Sequence, residues 1–196
     1  MANYAVDSLQ DGCYPGTVVL INILGIQNQS DLDAVEGTIV PAKAALWEEK
    51  PLAESFDFAH YCVIHRFLFE DLYEWAGKPR TVDISKKGTQ FCPAAQIEST
   101  AKAIFARLKK QNFLVGLDRA HFISAIVDFY ERTNELHPFR EGNGRTQRVF
   151  LSQLVRHAGY VIDFARVDPD DLMIATIQAA GGVDDFLKVL FDEMVV

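Results

Sequence analysis

Two helical patterns separated by a short stretch that cannot be helical constrain this chain more than any other feature. In "RAHFISAIVDFYERTNEL", residues 119–136, the positions Phe122, Ile126, Phe129, Thr133 and Leu136 recur at spacings of three and four, which lines one helix face for burial. Asp118 stands where an N-cap belongs. Pro138 ends the helix at about His137, because a residue before proline is pushed out of the α region. A second helix should begin near Gly144, run through "RTQRVFLSQLVRHA" and stop at Gly159.

Helical periodicity governs most of the remaining chain. In "FDFAHYCVIHRFLFEDLYEW" the residues Phe58, Tyr61, His65, Leu68, Leu72 and Trp75 form one amphipathic face. Weaker helices are expected at 31–48, 94–111, 169–180 and 183–194. The exception is "RTVDISKKGTQFCP", where two β-prone pieces flank "KKG" in the manner of a hairpin. The expected class is all-α, a helical bundle with one small β-hairpin. Its 196 residues, 49% hydrophobic and without a Pro/Ser-rich linker, suit a single domain spanning 1–196.

A net charge of −8 gives no global attraction to nucleic acid or to an anionic membrane. Cys13, Cys62 and Cys92 are odd in number and share no CxxC spacing, so reduced thiols are expected rather than a disulfide framework or a zinc site. "MANYAVDSLQDGCYPG" lacks the pattern of a signal peptide, and "TVVLINILGI" is too short to span a bilayer. These features predict a soluble, cytoplasmic protein. His60, His65, His121 and His157 show no ligand-like grouping and are expected at the core edge or the surface.

The loop between the two main helices concentrates the chemistry. "HPFREGNGRTQR", residues 137–148, holds one His, one carboxylate, three Arg and two Gly. A helix N-terminus offers unpaired N–H groups and a positive dipole end, and Gly142 and Gly144 let the backbone approach an anion. Arg145 and Arg148 are three apart, so both project from one side of the new helix, which suits more than one phosphate. Glu141 is a poor phosphate neighbour unless a cation lies between them, and Mg²⁺ is commonly held by one or two carboxylates plus phosphate oxygens. His137, titrating near neutrality beside such a site, is suited to accept a proton from an attacking hydroxyl.

This stretch resembles the Fic motif, HPFx[D/E]GNGRxxR, with every fixed position present, and "YPGTVVLINILGI" and "LFEDLYEWAGKPRTVDI" occur in family order. The resemblance implies transfer of AMP from ATP to a hydroxyl side chain of a target protein, with release of pyrophosphate. It implies that His137 is the base and that Glu141 holds the Mg²⁺ between the α- and β-phosphates. The backbone of Gly142 to Gly144 and the Asn143 side chain would form an anion hole. Arg145 would bind the inner phosphates, Arg148 the γ-phosphate, and Phe139 would anchor the loop. The hairpin becomes a flap that aligns a target segment by strand addition, with Lys86, Lys87, Gly88 and Phe91 as its contact region. Tyr160 and Asp163 are placed at the border of the adenine pocket.

The family also contains short toxins restrained by a small antitoxin whose helix carries [S/T]xxxE[G/N] and pairs its Glu with the second motif Arg, here Arg148. In this chain Glu36 precedes Gly37, but Leu32 stands where Ser or Thr is required, so residues 31–48 read as an ordinary first helix and a separate antitoxin is expected. DNA gyrase and topoisomerase IV are the first target candidates on the same resemblance. The alternatives are another nucleotidyl or phosphoryl transfer on the same scaffold, or a protein that only senses nucleotide. The intact "EGNGR" favours AMP transfer over the phosphoryl transfer of Doc relatives.

Overall fold

A computed structural model describes residues 5–6, 12–49, 55–86 and 89–196. Among them are seven α-helices: α1 (Gln29–Glu48), α2 (Phe58–Phe69), α3 (Ile97–Lys110), α4 (Arg119–Leu136), α5 (Asn143–His157), α6 (Pro169–Ala180) and α7 (Asp185–Met194). Three short strands, β1 (Ala5–Val6), β2 (Ile84–Lys86) and β3 (Thr89–Gln90), form one antiparallel sheet in the order β1-β2-β3. The all-α class with a small hairpin is the observed one.

The two central helices begin and end for the expected reasons. Asp118 caps α4, its carboxylate accepting the His121 N–H at 3.0 Å. The helix ends at His137, which adopts a left-handed conformation (φ 42°, ψ 60°) ahead of Pro138. Gly159, with φ +94°, follows α5 as its stop. All five face positions of α4 are buried. Phe150 of α5 is fully buried among the rings of Phe56, Tyr61, Phe105 and Phe129, with centroids 5.3 to 5.8 Å away. Removing such a ring costs about 3–5 kcal/mol. Helix α2 packs on α5, α3 on α4, and α7 on α4 and α6.

Two elements differ from the periodicity. Helix α2 stops at Phe69, and Leu72 and Trp75 reach the interior through the turns that follow. The turns bring Tyr73 and Trp75 into a stack at 4.4 Å and return the chain to the helix at Gly77. A Cβ at Gly77 would lie 2.7 Å from that of Arg66 and 3.0 Å from the Cys62 carbonyl, so the return needs glycine. Helix α1 carries Pro41 inside it. The amide bond Pro41 cannot make belongs to the carbonyl of Gly37, on the helix wall nearest the candidate site. Strand β1 adds a third strand to the expected hairpin, pairing Val6 with Ile84 and Ala5 with Ser85. The expected flap residues Lys87 and Gly88 lie outside the described residues.

Candidate active site

The C-terminal end of α4, the loop to α5 and the N-terminus of α5 enclose a cavity of about 420 Å³ together with α1 and β2. Its lining includes His137, Glu141, Gly142, Gly144, Arg145, Arg148 and Lys86, with Glu36 and Asp33 from α1. Most of the candidate phosphate, base and metal residues are therefore adjacent. Local geometry explains much of this, since a helix ended by Pro138 and restarted at Asn143 turns its chemistry into one corner.

The loop is locked from beneath. Phe139 is fully buried, stacked on His65 at 3.8 Å and on Tyr61 at 5.8 Å. The Asn143 amide accepts the Phe139 N–H at 2.8 Å and donates to the Phe139 carbonyl at 2.7 Å. Asn143 is almost wholly buried, so its side chain braces the loop instead of facing an anion, which corrects the expected place of that side chain in an anion hole. His65 also departs from expectation, being completely buried and not at the core edge. Its Nδ1 accepts the Gly77 N–H at 2.8 Å, so Nε2 carries the proton and donates to the Glu141 carbonyl at 3.0 Å. Burial lowers its pKa to about 3, which keeps it neutral in this role.

His137 sits at the cavity wall with 6% of its surface exposed. Its Nδ1 meets the Asn134 carbonyl at 3.0 Å, and a carbonyl only accepts, so Nδ1 bears the proton and Nε2 the lone pair. Burial, with the charges of Lys86 and Arg80, lowers its pKa to about 3 against the opposing pull of that carbonyl. The ring of Phe91, at the end of the flap, stacks on the imidazole at 3.8 Å and 15°.

Glu141 is 6% exposed, and burial raises its pKa despite the Gly142 N–H and Arg145 nearby. One carboxylate oxygen accepts from Gly142 N–H at 2.8 Å and from Arg145 at 3.0 Å. A carboxylate whose charge is incompletely balanced, in the wall of a cavity, fits a cation. No group of three or more His, Cys, Asp or Glu side chains forms a metal cage among the described residues.

Sequence reasoning missed Arg145's second partner. Glu36, 2% exposed, holds Arg145 at 2.6 Å and accepts the Tyr73 hydroxyl. The guanidinium thus lies between two carboxylates and over the Phe69 ring at 4.8 Å. Glu36 does not pair with Arg148, which is exposed and has no ion pair among the described residues. The residue was visible as an acidic position on α1, but nothing in its spacing pointed across 109 residues to Arg145.

A second cavity of about 320 Å³ adjoins the first, sharing Lys86, Asn134, His137 and Arg148. Its other walls are largely apolar: Tyr130 from α4 and Pro169, Leu172, Met173, Thr176 and Ile177 from α6, with Phe91 from the flap. Tyr160 and Asp163 do not line it. Tyr160 stacks on Phe122 at 4.4 Å, and Asp163 caps a turn through the Ala165 N–H. Both are occupied in packing and capping and line neither cavity, so the structure does not bring these two expected pocket residues to the site.

Residues 55–155 match the Fic/DOC family. The chain is 41% identical over 90% of its length to protein adenylyltransferase VbhT of Bartonella schoenbuchensis, of which it spans 37%. It is 35% identical over 93% of its length to the probable protein adenylyltransferase Fic of Escherichia coli, of which it spans 90%. Among solved structures, BepC of Bartonella tribocorum with bound AMPPNP superposes with a TM-score of 0.89 at 29% identity, covering 95% of this chain and 97% of that one. The N-terminal Fic domain of a putative cell filamentation protein from Bartonella quintana, with bound ADP, gives a TM-score of 0.91 at 30% identity, covering 95% and 94%. The loop, the helix start and the flap base described above lie within or beside the matched region, and the chain belongs to the Fic/DOC family.

Proposed function

We propose that this protein transfers AMP from ATP to a hydroxyl side chain of another protein. The hydroxyl oxygen attacks the α-phosphorus, the bond to the β-phosphate bridging oxygen breaks, and pyrophosphate leaves. The proton of the hydroxyl passes to Nε2 of His137. The observation that carries this reading is a neutral His137 of defined tautomer on the wall of the cavity that holds the α5 N-terminus, Glu141, Arg145 and Arg148. The relatives named as adenylyltransferases and the nucleotide-bound neighbours support it.

In this reading the first-turn N–H groups of α5 and the dipole of that helix receive phosphate oxygens. Arg145, oriented by Glu36 and Glu141, serves the inner phosphates, and exposed Arg148 serves the γ-phosphate. Glu141 would hold Mg²⁺ jointly with the phosphates, the ion supplying charge neutralisation. The apolar second cavity suits the nucleoside. Positioning and electrostatic stabilisation carry most of the rate, and a placed general base contributes about 10² to 10⁴-fold.

Strand β1 covers one edge of β2, and β3 carries no further strand among the described residues, so β3 is the edge at which a target segment adds. The exposed Arg148, without an ion pair among the described residues, is where the Glu of a small antitoxin would bind, and the chain acts as a toxin in that pairing. DNA gyrase and topoisomerase IV are the first targets to test. No helix among the described residues is long and apolar enough to cross a membrane.

The test is incubation of the chain with bacterial lysate and ATP labelled at either the α- or the γ-phosphate. α-Label on protein, lost in His137→Ala with AMPPNP binding retained, is the expected result. γ-Label alone means phosphoryl transfer, and no label means a nucleotide binder.

A further inference from the structure

Arg80 stands between the helix pair and the flap, and its side chain is completely buried. Its guanidinium reaches three carbonyls from three segments. Nε donates to His137 at 2.9 Å, Nη1 to Val82 at 2.8 Å, and Nη2 to Cys92. Val82 leads into β2, and Cys92 follows β3 and Phe91. The backbone repeats the same stitching: Arg80 N–H donates to the Pro138 carbonyl at 2.8 Å and Cys92 N–H to the Glu135 carbonyl at 3.0 Å. Among the described residues the one carboxylate paired with it, that of Asp83, is 3.9 Å away, so carbonyl dipoles rather than a close ion pair satisfy this cation. Burying a guanidinium is costly unless its donors are met in a fixed fork, and that fork is a shape lysine cannot copy.

We propose that Arg80 is a positioning residue that fastens both ends of the flap to the backbone of His137, so that flap placement and base placement form one mechanical unit. The carbonyl it holds belongs to the residue whose left-handed backbone turns the imidazole into the cavity. The flap end it holds carries Phe91 onto that imidazole. A target segment added to the flap is thereby referenced to the atom that takes its proton. A misplacement of about 1 Å at a reacting centre costs on the order of 10²-fold in rate. The nucleotide side is built separately, from the Asn143 brace and the Glu36–Arg145–Glu141 network, and none of these bonds involves Arg80.

This inference rests on the AMP-transfer reading for its consequence, and its test separates the two. Arg80→Lys, in the full chain, keeps the charge and loses the fork. Initial rates of α-label transfer to lysate protein at saturating ATP should fall about 10- to 100-fold, with AMPPNP affinity by calorimetry unchanged within about twofold. Hydrogen exchange at the Cys92 amide should quicken, while the Phe139 amide held by Asn143 keeps its protection. The His137 ring resonances should shift. Asp83→Ala supplies a second variant in which the core stays closed, removing an exposed carboxylate that accepts the Ala94 N–H at the same flap base. It should lower the rate less, again with unchanged AMPPNP affinity, and it decides the matter if Arg80→Lys does not fold. An unaltered rate, or an AMPPNP affinity that falls in step with the rate, overturns the proposal. If the wild type transfers no α-label, the functional reading fails, and the Cys92 exchange and His137 resonances alone decide the clamp.

Discussion

Replacing Gly142 by alanine separates the two glycines of the loop. Gly142 has φ +80°, and a Cβ there would lie 2.4 Å from both Cε2 and Cζ of Phe69. The ring has little room to yield, since it is fully buried, stacked with His65 at 4.8 Å and covered by the Arg145 guanidinium. The left-handed conformation costs an L-residue about 1–2 kcal/mol, and overpacking adds about 1–3 kcal/mol. The expected loss is therefore about 2–5 kcal/mol, a fall in melting temperature of roughly 4–20 °C for a domain of this size. Gly144 is the contrasting position: it is helical, and a Cβ there meets nothing within 4 Å. Gly144→Ala should be neutral or stabilise by up to about 1 kcal/mol while weakening AMPPNP binding, because the added methyl occupies the place of an approaching phosphate. Calorimetric melting of both variants, followed by AMPPNP titration, checks the pair. A Gly142→Ala variant melting within about 1 °C of wild type would refute the steric argument, and so would a Gly144→Ala variant that loses equal stability.

Three further outcomes are expected. Glu36→Gln removes one of the two carboxylates holding Arg145 and should cost about 1–3 kcal/mol in urea unfolding, below the full cost for a buried pair because Arg145 is 27% exposed; no change would mean the bond carries no stability. His65 and His137 are both held near pKa 3, below the unfolded value of about 6.5. The folded state therefore binds fewer protons, and the stability present above about pH 6.5 is lost as pH falls toward 3, by about 1.4 kcal/mol per pH unit per histidine. In unfolding measurements between pH 6 and pH 4, His137→Gln should lower the proton uptake on unfolding by about one proton, and an unchanged slope contradicts the burial of a neutral imidazole. Glu141→Gln should move the Mg²⁺ titration of α-label transfer to higher concentration, whereas superimposable titrations would leave Glu141 as a loop residue only.

The sequence by itself determined whatever rests on neighbours along the chain. Pro138 after an amphipathic run, and Gly159 after another, set the ends of α4 and α5. Because His137, Glu141, Arg145 and Arg148 span only twelve positions across that turn, local chain geometry brought them to one corner, which α1 and β2 then close into a cavity. Hydrophobic spacing placed Phe129 and Leu136 inside for the same reason, since burial follows a local period. It overran the end of α2 at Phe69: Leu72 is buried and Trp75 half-buried as the spacing expects, but from the turns that follow the helix.

Tertiary structure decided what depends on pairing between distant segments. It gave Arg145 a partner 109 residues away, set His65 beneath a loop carbonyl 76 residues away, and set Arg80 against His137 across 57 residues. It also distinguished Gly142, pressed on Phe69, from Gly144, open to the site, and turned Asn143 inward to the loop. Polar partners of this kind leave no periodic trace. A buried charge or imidazole is satisfied by whichever carbonyl or carboxylate the packing brings to it, and that is known only once apolar faces from α1, α2 and the flap have closed over the same loop.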